Sequence, residues 1–155
     1  MISKIAQRVA SRWVLAGDGD QIAHWLKIVR QMTEMSESDH EIQKFVKAKQ
    51  ELQKDEFMQG MAQQVEKLLK AVDQKLKSIG DKPDALANAK SDISSMGKHV
   101  EKTFDDMDGK FVKEKGEEAH RTSAYRIFLP LSSLAGHLNQ LAIAINVWKN
   151  DQNKA

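Results

Sequence analysis

Apolar residues recur along this chain at intervals of three and four, and nowhere in sustained alternation with polar ones. That pattern predicts helices and no sheet. The first helix is expected over residues 2–16, with Ile2, Ile5, Val9 and Trp13 on one side and Lys4, Arg8 and Arg12 as a row on the other. Gly17-Asp18-Gly19-Asp20 breaks it, and Asp20 can cap a second helix over 21–35, whose apolar face is Ile22, Trp25, Leu26, Val29 and Met32. Ser38 followed by Glu41 reads as a capping box for the next helix.

That third helix is expected to be long, over 39–79, with a stripe of Ile42, Val46, Leu52, Phe57, Met61, Val65, Leu68, Val72, Leu76 and Ile79. At 1.5 Å per residue it would reach about 60 Å if straight and outrun its neighbours. Polar residues 49–56 and then Gly60 thin the stripe, so any bend belongs there. Gly80 and Pro83 end it. A fourth helix from about 84 to Gly116 carries Leu86, Ala89, Ile93, Met96, Val100, Phe104, Met107 and Phe111, the spacing of a bundle seam. A last helix is expected from 117 or 118 to 149, kinked at 126–129 by Pro130, with a frayed tail at 151–155. Its stripe is Leu131, Leu134, Leu138, Leu141, Ile145 and Trp148.

Residues 127–148 carry no charge, although charges are dense elsewhere. About 33 Å of helix is enough to cross a bilayer. His137, Asn139, Gln140 and Asn146 sit near its middle, however, where lipid would leave them without partners. We therefore expect this segment to be covered by its own bundle, touching neighbours on several sides, with His137 as a hydrogen-bonded core residue. Gly60, Gly97 and Gly136 are expected to mark close helix crossings, since a helical glycine is otherwise unfavourable by about 1 kcal/mol relative to alanine.

With 155 residues the chain is one ordinary domain, long enough to bury a core without staples. There is no cysteine, which excludes disulfides and thiol chemistry and fits a reducing, intracellular compartment. The net charge of +2 is nearly balanced and forms no continuous basic stripe, so nucleic acid is not the expected partner. The basic N-terminal segment lacks the continuous apolar run and small-residue cleavage site of a secretory signal. It is expected to belong to the mature protein.

Candidate chemistry is sparse. Glu37-x-x-His40 and Glu117-x-x-His120 have the spacing of di-iron carboxylate bundles, so these four residues are the candidate metal ligands. Both copies fall at helix starts in polar sequence, where capping and the helix dipole explain the acids without a metal. The first two helices also offer only Glu34 as a further ligand. No cofactor and no catalytic residue is assigned. Residues 105–109 (DDMDG) fail as a calcium loop, because Phe104 and Lys115 would fall where oxygen ligands are required. The methionines at 32, 58, 61, 96 and 107 lie on the apolar stripes and read as core filling.

The expected fold is all-α: an elongated, mostly antiparallel four-helix bundle over 18–150 with an additional amphipathic N-terminal helix over 1–17. The expected function is a non-enzymatic interaction or structural protein, an adaptor, assembly subunit or inhibitor working through helix–helix contacts with another protein or with itself. Ile5, Arg8, Val9, Arg12 and Trp13 are the expected docking residues. The alternative is a cytoplasmic protein held at an anionic membrane surface by the same helix.

Overall fold

A computed structural model of the chain describes residues 20–121 and 127–154, and all regular structure among them is helical. Residues 20–33 form α1. It is followed by α2 (His40–Glu51), α3 (Glu56–Ile79), α4 (Pro83–Asn88), α5 (Lys90–Lys115), α6 (Glu117–His120) and α7 (Leu129–Lys154). The expected N-terminal helix lies outside the described residues. The result is an all-α bundle. Its three longest helices have 24, 26 and 26 residues, about 36–39 Å each.

Named contacts fix the topology. On α5 and α7, Lys90 Nζ donates to Asn146 Oδ1 at 2.7 Å. Gly97 faces Leu138, and the Phe104 and Phe111 rings lie 5.7 and 5.4 Å from Phe128. Numbers rise on one helix as they fall on the other, so the pair is antiparallel. Lys115 at the end of α5 reaches Asp55 at the start of α3, so these two also run antiparallel. Lys49 of α2 pairs with Glu66 of α3, and Gln59 Nε2 donates to the Lys49 carbonyl at 2.9 Å. Helix α1 packs against both α3 and α7. Thr33 Oγ1 donates to Asp73 Oδ1 of α3 at 3.2 Å, while the Trp25 ring lies 5.7 Å from His137 of α7.

The expected single helix over 39–79 is two helices, and neither is 60 Å long, so no end outruns its neighbours. The break has a local cause. Leu52 closes α2, and Asp55 starts α3 by accepting the Met58 N–H at 3.2 Å. The polar run between them offers no apolar face that would hold a helix straight across the gap. Of the expected stripe, Ile42, Met61, Val65, Val72 and Leu76 are buried and Val46, Leu52, Phe57, Leu68 and Ile79 only partly so, while Phe45, Met58 and Leu69 beside it are also buried. The start of α2 is capped by Asp39, which accepts the Ile42 N–H at 3.0 Å, and not by a Ser38–Glu41 box. Ser38 instead pairs with Ser36 at 2.9 Å.

The expected fourth helix is likewise divided, at Ala89, into α4 and α5. Helix α5 runs unbroken through 105–109 and stops at Gly116, whose φ of 89° suits only glycine. Pro130 does not kink a continuous helix. It sits in the first turn of α7, where its missing N–H is not needed, after a turn at residues 127–128. Helix α7 continues to Lys154, past the expected end at 149.

The core is one cluster drawn from all the long helices, with Phe45, Phe111 and Phe128 as its largest fully buried rings. Met32, Met61 and Met107, on their stripes, and Met58, beside one, are buried in it, while Met96 is only partly buried.

One joint carries a testable electrostatic load. Lys115 Nζ hydrogen-bonds Asp55 Oδ2 at 2.6 Å and lies 5.9 Å from the Phe57 ring centroid. The Lys115 ammonium, opposed by desolvation and helped by the Met58 N–H, holds the Asp55 carboxyl below its ordinary value of 3.8. A carboxyl depressed in the folded state contributes stability that is complete above the unfolded value and lost as pH falls through the folded one. Asp55→Ala is therefore expected to lower unfolding stability by roughly 1–2 kcal/mol near neutrality. The deficit against the wild type should shrink as pH drops below about 4. Urea unfolding across that range checks it; a deficit independent of pH would show that the carboxylate is not its source.

Candidate functional site

The inner faces of α7 are sealed. Leu131, Leu134, Leu138, Leu141 and Ile145 have no solvent exposure, and the helix packs against α2, α3, α4 and α5. The outer face is different. Ser132, Gly136, Asn139, Gln140, Ile143 and Val147 are all exposed, at steps of three and four along one side. Ile143 and Val147, 49% and 39% exposed, are the large hydrophobic residues left in solvent among the described residues. No charged side chain interrupts the stripe between Ser132 and Val147.

Beside this face lies a shallow groove of about 540 Å³ between α5 and α7. Its floor is made of small residues, Ser94, Gly97, Ser132, Ala135 and Gly136, and Lys98, Glu101 and Asp105 of α5 form one wall. The floor is low because the two helices approach closely at Gly97. A Cβ there would lie 3.5 Å from the Leu138 Cβ and 3.9 Å from the Ala135 carbonyl. Gly97 thus marks a crossing, as its place in the sequence predicted. Gly60 and Gly136 do not: among the described residues nothing lies within 4 Å of a Cβ built at either. Gly136 is exposed, so its bare backbone is matched by no contact within the described residues.

The expected docking residues Ile5, Arg8, Val9, Arg12 and Trp13 lie outside the described residues. Among the candidate metal ligands, Glu37 and Glu117 are exposed in a turn and in α6, and His40 is exposed at the start of α2. His120 hydrogen-bonds Asp108, with its ring 6.1 Å from that of Phe111. No group of three or more His, Asp or Glu that could hold a metal ion occurs among the described residues. No described helix is long and apolar enough to cross a membrane.

Sequence reasoning expected 127–148 to be covered by its own bundle on several sides and did not single out Ile143 and Val147. A signal was present. Both are apolar residues that fall off the Leu131–Trp148 stripe, on the side also holding Ser132, Gly136 and Asn139.

His137 borders the opposite flank of α7. It is half-buried against Trp25, not the hydrogen-bonded core residue expected. Asp151 holds its Oδ2 away from solvent without a hydrogen-bond partner among the described residues. Burial pushes the His137 imidazole below its ordinary value of 6.5, against the opposing pull of Asp39 and Glu41 and with a smaller push from His24. The unfolded chain thus takes up a proton that the folded chain resists, so stability falls as pH drops through the unfolded value and levels off below the folded one. Between about pH 7.5 and 5.5 the wild type should lose more stability than His137→Asn, as read by urea unfolding. Parallel slopes for the two proteins would contradict it.

No family model, curated protein or solved structure matches this chain.

Proposed function

We propose that this protein is a non-enzymatic interaction protein that works through helix–helix contacts, with the outer face of α7 as its docking surface. The observation that carries the reading is that face: an uncharged, partly apolar stripe on a helix whose other sides are sealed, ending in exposed Ile143 and Val147. Exposed apolar residues are ordinary when scattered. A contiguous row on one rigid helix is the form a groove-seeking or helix-pairing surface takes. The shallow α5–α7 groove beside it suits a helix or side chains laid along it better than a small enclosed substrate.

The basic N-terminal segment with Ile5, Val9 and Trp13 is a second docking element in this reading, on the strength of its sequence alone. Affinity capture from the native source tests both elements. Wild type, Ile143→Glu with Val147→Glu, and a chain lacking residues 1–17 are compared. Loss of the captured protein in the double variant, with unchanged helical content, is the expected outcome. Capture unchanged in both altered proteins would remove the proposal.

A further inference from the structure

We infer that the occupant of the α7 outer face is a second copy of this chain, bound antiparallel across a two-fold axis between Asn139 and Gln140. This rests on the reading of that face as a docking surface and names its partner. The argument is the order of side-chain sizes along the stripe. In an antiparallel pair of identical helices, residues at one level have a constant sum of numbers. With the axis midway between positions 139 and 140, Ser132 faces Val147 of the other copy, Gly136 faces its Ile143, and Asn139 faces its Gln140.

Every exposed position of the stripe between 132 and 147 therefore meets another member of the stripe, small against large at the two outer levels and amide against amide at the axis. Ile143, the most exposed large hydrophobic, meets Gly136, above which there is open space. Val147 meets Ser132. The two amides at the axis each carry donors and an acceptor and can satisfy one another. An isologous two-fold contact requires this self-complementarity, because one patch must fit itself. The stripe also lacks the like charges that would repel across the axis. The pairing accounts for Gly136, which is unfavourable within a helix and unexplained by any described neighbour. One helix face per copy is a small interface, so the association is weak and depends on concentration.

Light scattering on the full chain, from low micromolar to near-millimolar concentration, should show the mass rise from 17.5 kDa toward twice that value. Ile143→Glu should weaken the dimer by roughly tenfold or more without changing helical content, since its side chain is exposed. Gly136→Ala should raise the melting temperature at low concentration while weakening association. The chain has no cysteine, so register can be read directly. Gly136→Cys mixed with Ile143→Cys should give a disulfide between the two proteins under mild oxidation. Neither should cross-link to itself, because identical positions lie about 10 Å apart along the axis, beyond disulfide reach. A constant mass of 17.5 kDa would overturn the inference, as would a dimer that ignores Ile143→Glu or cross-links in another register. A monomer whose captured protein is still lost in the double glutamate variant leaves the docking surface standing with a different occupant. A monomer with capture unchanged removes both.

Discussion

Everything in this bundle is arranged to cover one helix. Helix α7 has no charge between residues 127 and 148, and its inner leucines and Ile145 are fully withdrawn from water. Burying a leucine or isoleucine side chain contributes about 1.5–3 kcal/mol, and a row of them on one helix outweighs any surface ion pair the fold contains. The antiparallel union of α5 with α7 supplies the longest stretch of that cover. The two helices come close at Gly97, where a Cβ would already be in van der Waals contact with Leu138. Helices α2, α3 and α4 complete the enclosure. The other helices contribute their own stripes to the same cluster, so the seal around α7 and the core of the protein are one structure.

Among the described residues the seal is most open on the outer side, and that side is chemically distinct. A solvated helix face normally carries charge, as the exposed faces of α3 and α5 do through residues such as Lys67, Lys70, Glu101 and Lys102. The outer face of α7 carries serine, glycine, two amides, isoleucine and valine. An exposed isoleucine two turns from an open glycine position on the same face is an arrangement in which each lacks what the other supplies. This is the physical basis for assigning the surface to docking, and for choosing the same chain as its occupant.

Much of this was legible in the residues. Intervals of three and four located every long helix, because burial of one face imposes that period whatever the rest of the sequence does. Gly80 and Gly116 ended helices where expected, since positive φ excludes other side chains at little cost only in glycine. The breaks at Leu52–Asp55 and Ala89 were less legible. Apolar spacing stayed in register through both, and the competing signals, a single capping aspartate and a single offset alanine, have ordinary counterparts inside continuous helices. Pro130 was misread for a similar reason. A proline can kink a helix or begin one, and what decides is the turn before it, which no residue type announces. The outer face of α7 was hidden by the feature that made the helix conspicuous: absence of charge does not distinguish a face covered by the same chain from one that awaits another. The N-terminal docking residues rest on sequence alone.

The double attachment of α1 has a mechanical consequence. Thr33 anchors its end to α3 through Asp73, which is itself held by Lys77, while Trp25 lies against His137 of α7. Ile22, less than one turn from Trp25, is itself buried in the core. A shift of α1 along its length would therefore strain its contacts with the core, with α7 and with α3 together, so these helices hold one another in register.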